Sequence, residues 1–292
     1  MTSVQTLPAC RFLRLKTRFC STNAWFEVHA YNEAKIQAKM MMLVALMAKD
    51  TDPLADGNNH NLNQKGFPKT LLMLPTLNEA DAIQTLVREA KGSGFKNILV
   101  VDGYSTDRTR EVAEAEGAEV VLQEFGKGKG CGVRTGMKLF LERDIDLLCM
   151  LDADVTNIPS HLLEMVRATR QGRADVVLGS RIRGKRDPEA MNALTFASNL
   201  TVSLVLGAKF KRLFTDVQTG YWAFTKAAVQ KIYPLLHSTG FEIEIEIFVT
   251  ALKAKLKVCE VPVGFRVRTG TSKFSFRQRF RNLYYAMKYL VS

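Results

Sequence analysis

The chain has 292 residues, of which 47% are hydrophobic and 24% are charged. This composition is typical of a globular chain with one large domain or two small ones, and it excludes disordered and collagen-like proteins. The net charge of +12 at neutral pH predicts partners of negative charge, such as nucleic acid, anionic lipid or phosphorylated small molecules.

The first 66 residues differ from the rest and predict a partly disordered or helical extension. Residues 1–26 contain basic residues but no acid, which is the composition of an organelle transit peptide or of a poorly ordered tail. Residues 32–49 have the pattern of a helix, and residues 50–68 have the composition of a linker. We expect a main domain at residues 67–274 and a basic amphipathic helix at residues 275–292.

The cysteines and the apolar runs bear on the compartment. The five cysteines have neither C-x-x-C nor zinc-finger spacing, so we expect reduced thiols in a cytoplasm-like compartment. The apolar run at residues 40–48 stops after nine residues, whereas a membrane span needs about 18. The sequence therefore predicts no segment that crosses a bilayer.

From residue 69 onward, short apolar runs alternate with stretches of helical periodicity. The runs lie at residues 69–75, 96–102, 118–123, 146–152 and 174–180. Strands that are apolar on both faces and alternate with helices predict an α/β fold, with a mostly parallel central sheet covered by helices. Ligands of such sheets bind beyond the carboxyl ends of the strands, so the polar residues that follow each run are the candidate site residues.

Two acids end the fourth apolar run. Asp152 and Asp154 are two positions apart at a strand end, so their carboxylates lie on the same side and repel each other unless a cation holds them. A hard divalent cation, Mg²⁺ or Mn²⁺, with phosphate oxygens completing its shell, suits this pair. The alternative is a helix N-cap, because Pro159 and a helical pattern follow.

Seven motifs between about residues 69 and 275 carry a family resemblance. They are, in chain order, LPTLNEADAI, VVDGYSTDRTREVA, GKGKGCGVRTG, LDADVTNIP, GSR, TDVQTGYWAF and VPVGFRVRTGTSK. Together they resemble glycosyltransferase family 2, in the branch similar to dolichyl-phosphate mannose synthase and the archaeal dolichyl-phosphate glycosyltransferases. The resemblance implies a GT-A fold, a nucleotide-sugar donor, a divalent metal ion and inversion at the anomeric carbon.

The resemblance also implies roles for individual residues. Asp152 and Asp154 would bind the metal ion and the donor diphosphate, with Lys129 near that diphosphate. Arg181 would face the donor phosphates or the sugar. The residues expected around the nucleoside are Pro75, Thr76, Glu79 and Asp102.

The sequence departs from the family pattern at three positions. Tyr104 stands where a second acid follows Asp102 in the family, so Tyr104 would take the place of one acidic contact to the base or ribose. Thr156 stands where dolichyl-phosphate mannose synthases often have Gln, which leaves the third protein ligand of the metal ion open. The aromatic residue of the first motif is Leu77 here.

Two acidic features have alternative interpretations. Asp216 lies where relatives with hydroxyl acceptors have a catalytic base, yet lipid-phosphate branches also retain an acid there. Glu242, Glu244 and Glu246 alternate with apolar residues, which is a strand pattern by period. The family has a helix here, on which Glu242 and Glu246 would face the site or would form a solvated surface.

The C-terminal stretch has no acid after Glu260 and seven basic residues. Its apolar residues recur at helical spacing, which suits either an anionic membrane surface or packing against the chain's own sheet. The motif around residues 266–273 resembles the family's acceptor motif but is one residue tighter. The resemblance therefore implies that the acceptor phosphate is bound by either Arg266 or Arg268, together with Ser272 and Lys273.

The family resemblance, together with these observations, implies a metal-dependent inverting enzyme of protein glycosylation. It would move a sugar from a UDP- or GDP-linked donor to a polyprenyl (dolichyl-type) phosphate, as a peripheral protein on the cytoplasmic face of a membrane. We expect no nucleic-acid partner; a membrane subunit or a homo-oligomer remains open. One alternative is a soluble or polysaccharide hydroxyl acceptor with Asp216 as base. Another is a catalytically silent subunit that tethers partners to a membrane or binds nucleotide.

Overall fold

A central β-sheet organises the part of the chain that the computed structural model describes, residues 69–268 and 276–291. Its strands are β1 (Thr70–Thr76), β2 (Asn97–Asp102), β3 (Glu119–Leu122), β4 (Leu147–Met150), β5 (Val176–Ser180), β6 (Trp222–Thr225) and β7 (Val258–Pro262). The first five coincide with the five apolar runs of the sequence to within a few residues.

Helices connect and cover these strands. In chain order they are α1 (Ala80–Gly92), α2 (Thr109–Ala115), α3 (Lys129–Leu141), α4 (Leu162–Arg170), α5 (Ala193–Lys209), α6 (Lys226–Ile232), α7 (Ile243–Lys253) and α8 (Phe276–Val291). Helix α1 illustrates why they form: Ile83, Leu86, Val87 and Ala90 recur every three or four residues, and all are buried against the sheet. Among the described residues, no helix combines the length and apolar character that crossing a bilayer requires.

The strand order is β3-β2-β1-β4-β6-β5-β7. Strand β6 runs antiparallel to β4 and β5, and the other pairs are parallel. The carboxyl ends of the parallel strands therefore meet at one edge of the sheet. Because β6 runs the other way, the residues that precede it, 216–221, reach this same edge.

Hydrophobic cores lie on both faces of the sheet. Leu71 and Met73 of β1 belong to one core, and Leu72 and Leu74 belong to the other. This alternation follows from the two-residue period of a strand, and it explains why the runs are apolar without interruption. The predicted α/β architecture is confirmed.

The two-residue period at residues 241–247 does not produce a strand. Helix α7 begins at Ile243, and Glu242, Glu244 and Glu246 are all buried, so these acids do not form a solvated helix surface. The alternation arises because each acid has a hydrogen-bond partner inside the protein while Ile243 and Ile245 pack in the core. The expected extension at residues 1–66 lies outside the described residues, and the domain boundaries stay predictions.

Candidate active site

A cavity of about 600 Å³ lies at the edge where the parallel strands end. Its wall combines residues from the ends of β1 and β4 with residues from the start of α5, the turn before β6, and α7 and α8. The charged residues in this wall are Glu79, Lys129, Asp152, Asp154, Arg181, Glu189, Glu244, Arg268 and Arg279.

Lys129 joins two acids in the cavity wall. Its Nζ lies 2.6 Å from Oδ1 of Asp152 and also donates to Oε1 of Glu244. Burial raises the pKa of the Glu244 carboxyl to about 7, against the opposing effect of the Lys129 ammonium. Burial alone would lower the pKa of Lys129, but the two carboxylates outweigh it and raise that pKa. Glu244, and not Glu242 or Glu246, is thus the acid of this segment in the cavity wall.

Arg268 makes the corresponding contacts with Asp154. One guanidinium nitrogen lies 2.6 Å from Oδ2 of Asp154, and another lies 2.7 Å from Oε1 of Glu79. Oδ1 of Asp154 accepts the hydroxyl hydrogen bond of Thr156. Val155, between the two acids, has a φ of 44°, which is a costly conformation for a β-branched residue.

The helix-cap interpretation of the acid pair is wrong. A short 3₁₀ turn, Pro159–His161, precedes α4, and neither this turn nor α4 has a side-chain hydrogen bond at its N-cap. Asp154 instead bonds to its own turn and to Arg268. The two carboxylates are therefore directed to the cavity.

Arg181 and Asp216 form a buried bidentate pair. Nε and Nη2 of Arg181 lie 2.7 and 2.8 Å from the two carboxylate oxygens of Asp216, and the backbone N–H of Arg181 donates to Oδ2. Asp216 is 0% exposed, while Arg181 lines the cavity. The carboxylate raises the pKa of Arg181 against the effect of burial.

Glu260 of β7 positions the segment that carries Asp216. Its carboxylate accepts hydrogen bonds from the backbone N–H groups of Thr215 and Asp216 and from the Thr215 hydroxyl. Burial raises the pKa of Glu260 to about 7, partly offset by these hydrogen bonds. The sequence offered no signal for this role, because Glu260 is a single acid inside an apolar strand.

The residues expected around the nucleoside divide into two groups. Pro75, Thr76 and Glu79 line the cavity. Asp102 is 0% exposed and does not line it; its Oδ2 accepts the backbone N–H of Ser105. The hydroxyl of Tyr104 donates to the backbone carbonyl of Gln123. The nucleoside role of Asp102 stays a prediction.

The residues expected at the acceptor phosphate also divide. Arg268 lines the cavity, whereas Arg266 pairs with Glu89 and is not part of the wall. Of the two candidate arginines, the geometry therefore favours Arg268. Ser272 and Lys273 lie outside the described residues.

Glycines permit close contacts at two points of the site. A Cβ on Gly220 would lie 2.3 Å from Oδ2 of Asp152, so only glycine leaves that carboxylate in place. Cβ atoms on Gly128 and Gly130 would lie 2.4 and 2.3 Å from the carbonyl oxygens of Thr239 and Ser238. The glycine-rich GKGKG stretch thus packs tightly against the segment before α7 and does not form a phosphate-binding loop of the P-loop type.

The acid pair suits a hard divalent cation. Asp152 and Asp154 offer carboxylate oxygens, and Thr156 adds a hydroxyl within reach of Asp154. Among residues 69–268 and 276–291, no group of three or more His, Cys, Asp and Glu gathers as a metal cage. An ion held by only two carboxylates keeps open positions for ligand oxygens, as Mg²⁺ in nucleotide sites usually does.

A sheet of this order, with an acid pair at its edge and a cavity above it, defines the GT-A class of nucleotide-sugar transferases. The family model for glycosyl transferase family 2 matches residues 72–232, more than half of the chain. The chain belongs to this family.

Several known proteins are similar to the chain. Glycosyltransferase AglJ of Haloferax volcanii is 36% identical over 197 residues, which cover 68% of this chain and 63% of AglJ. A UDP-N-acetylglucosamine–dolichyl-phosphate N-acetylglucosaminyltransferase of Methanococcus voltae is 26% identical and aligns over 66% of this chain and 83% of that protein. An undecaprenyl-phosphate mannosyltransferase of Micrococcus luteus is 29% identical, with coverages of 71% and 88%. These names confirm the expected branch.

Solved structures agree on the fold. Glucosyl-3-phosphoglycerate synthase from Mycobacterium tuberculosis, in complex with Mn²⁺ and UDP-glucose, superposes with a TM-score of 0.61. The match covers 76% of this chain and 78% of that one, at 18% identity. A likeness at this identity establishes the GT-A fold and leaves the ligands to be argued from the residues.

Proposed function

We propose that the chain is a metal-dependent, inverting glycosyltransferase that moves a sugar from a nucleotide-sugar to a polyprenyl phosphate at a membrane surface. The observation that carries this proposal is the placement of Asp152, Asp154 and Arg181 around one cavity at the carboxyl edge of the sheet. Two relatives named for dolichyl-phosphate and undecaprenyl-phosphate acceptors support the acceptor class.

The donor binds at the acid pair in this proposal. Asp152 and Asp154 would hold Mg²⁺ or Mn²⁺, which when bound offsets the negative charge of the diphosphate. Lys129, which contacts Asp152, is the proposed cation for the diphosphate oxygens, and Arg268, which contacts Asp154, is proposed for the acceptor phosphate. Pro75, Thr76 and Glu79 are the proposed nucleoside contacts, and Asp102, which pairs with Thr76 on the neighbouring strand, stays a proposed member of this group.

The acceptor needs no general base. An oxygen of the lipid phosphate forms the new bond to the anomeric carbon while the bond from that carbon to the leaving diphosphate breaks, with inversion. A phosphate monoester has a second pKa of about 6 and is already anionic at neutral pH. Both oxygens of Asp216 are engaged by Arg181, which favours this acceptor over a hydroxyl that would need Asp216 as base. We propose that Asp216 positions Arg181 beside the reacting groups.

Helix α8 is the proposed contact with the membrane. Phe280, Leu283, Tyr284 and Met287 form an exposed apolar stripe, and Phe280 and Tyr284 are 58% and 65% exposed. The opposite side of the helix, with Asn282 and Ala286, is buried against the domain. Exposed basic residues flank the stripe, so its charge complements an anionic leaflet such as the cytoplasmic one.

A transfer assay tests the proposed function. Labelled UDP- and GDP-sugars are offered with a polyprenyl phosphate, or with the parent polyprenol, in the presence of Mn²⁺ or Mg²⁺. We expect metal-dependent label in the lipid phosphate only. Asp154→Asn should lower the rate by about 100-fold or more, by analogy with the loss of other charge-stabilising groups. Asp144→Asn, an exposed acid just before β4 at the opposite sheet edge, should not.

Two results would contradict the proposal. Label in the polyprenol or in a soluble sugar, with none in the lipid phosphate, would show that the acceptor group is a hydroxyl and not a phosphate. Equal transfer rates with and without EDTA would show that the reaction does not require a metal ion.

A further inference from the structure

Four cationic side chains line the cavity in the described part of the chain: Lys129, Arg181, Arg268 and Arg279. The first three each hold carboxylates at 2.5–2.7 Å. Their charges are therefore largely balanced within the protein. Arg279 differs, because the described residues include no carboxylate in ion-pair contact with it.

The environment of Arg279 makes this lack of a partner costly. The side chain is partly buried, and its Nε is shielded from solvent with no hydrogen-bond partner among the described residues. A buried donor without a partner is destabilising, and more so when the group is charged. A protein recovers such a cost when a ligand of opposite charge binds.

The position of Arg279 separates it from the donor residues. It lies in the first turn of α8, and α8 packs against α5 and α7. Gln278 and the start of α5, with Thr195 and Asn199, belong to the same cavity wall. Asp152 and Asp154 instead follow β4, and Lys129, which contacts Asp152, begins α3. The cavity therefore has a second cationic site on its helical side.

The neighbours of Arg279 on α8 indicate where its ligand comes from. Phe280 is the next residue and begins the exposed apolar stripe. Successive helical residues rise only about 1.5 Å, so the cation in the cavity wall and the apolar surface outside are at the same level of the helix. A molecule with an apolar tail and an anionic head matches this arrangement. A guanidinium binds phosphate oxygens through two parallel N–H donors.

We propose that Arg279 binds the phosphate group of the acceptor lipid, so that α8 contacts both the membrane and the head group that reacts. This inference rests on the proposed function and adds a binding residue to it. Both the acceptor lipid and the nucleotide-sugar donor carry phosphate groups that Arg279 could bind. The test must therefore distinguish binding of the acceptor from binding of the donor.

The test measures Arg279→Gln and Arg279→Lys against wild type. Arg173→Gln is the matched control, since it removes the same charge from a position just before β5, at the opposite edge of the sheet. The Michaelis constants are determined separately for the nucleotide-sugar and for a short, detergent-soluble prenyl phosphate. Calorimetry without donor gives a second readout with the same prenyl phosphate, and with the prenyl alcohol as the neutral probe. Thermal melting checks that each variant is folded.

We expect Arg279→Gln to raise the KM for prenyl phosphate and to weaken its binding by about tenfold or more, as expected for a lost charged hydrogen bond. The KM for the donor should not change, Arg279→Lys should recover part of the loss, and Arg173→Gln should match wild type. A rise in the donor KM alone would assign Arg279 to the diphosphate and overturn the proposal. Unchanged binding in Arg279→Gln would overturn it as well. Failure of the proposed function differs from both, because wild type itself would then transfer no sugar to any prenyl phosphate.

Discussion

Arg181 and Asp216 meet in a bidentate ion pair whose acid is 0% exposed, although the two residues are 35 positions apart. The pair brings the end of β5 and the turn before β6 to the same cavity wall. Because β6 runs antiparallel, this turn lies at the sheet edge where the parallel strands end, next to the cavity, and not at the opposite edge.

We expect Asp216→Asn both to destabilise the protein and to lower the rate of sugar transfer. Removing one partner of a buried pair costs about 3–5 kcal/mol, because the remaining charge has no counter-ion. Urea unfolding measures this cost, and the double variant Asp216→Asn/Arg181→Gln should lose less stability than the two single losses added together. If Asp216 were instead a general base, Asp216→Asn would be near wild-type stability and would alter the pH dependence of kcat.

Gly220→Ala tests the placement of Asp152, the proposed ligand of the metal ion. The added Cβ would lie 2.3 Å from Oδ2 of Asp152, so the carboxylate must move. A displacement of this kind lowers rates by about 100-fold when it misplaces a reacting group. Transfer kinetics and Mn²⁺ titration should both be affected. Gly92→Ala, which has open space around its Cβ, is the control and should stay within about 1 kcal/mol of wild type. Normal Mn²⁺ affinity in Gly220→Ala would contradict the prediction.

Glu260 predicts a pH dependence of stability. Burial raises its pKa to about 7 in the folded protein, so the folded state holds the proton more tightly than the unfolded chain does. The stability it contributes is complete below about pH 4.5 and is lost as the pH rises through about 7.

Glu260→Gln should therefore gain stability relative to wild type between pH 5 and pH 8, by at most about 3 kcal/mol at 1.4 kcal/mol per pKa unit. Urea unfolding at both pH values measures this difference. Glu164→Gln, an exposed acid on α4, is the control. If the difference in the free energy of unfolding between wild type and Glu260→Gln were the same at both pH values, Glu260 would not titrate between them.

The exposed stripe of α8 predicts membrane binding. Replacing both Phe280 and Tyr284 with serine should weaken binding to vesicles of anionic lipid by about tenfold or more, since a buried aromatic side chain contributes about 1.5–3 kcal/mol. Vesicle co-sedimentation measures the effect. Leu235→Ser, which removes an apolar side chain that is 55% exposed outside α8, should bind as wild type does. Equal binding by both variants would exclude α8 as the contact.

Much of the fold and part of the site could be predicted from the sequence. The apolar runs located β1 to β5, and the motif spacing located the acid pair, because local periodicity and chain order carry that information. The partners of the acids could not be predicted. Whether Arg266 or Arg268 faces the cavity depends on how one irregular stretch crosses the sheet edge, and Arg266 turns to Glu89 instead. Arg279 gave no signal either, since a cation in a basic helix resembles a solvated one.

The contact between Lys129 and Glu244 joins residues 115 positions apart. The cavity wall around Lys129, which we propose for the donor, is therefore complete only after the segment before α7 has packed onto Gly128 and Gly130. Contacts of such separation form late, because the chain must close a long loop before they contribute. A fragment that ends before α7 would contain the acid pair without the geometry that balances it, so nucleotide binding would report the assembly of the whole domain during refolding.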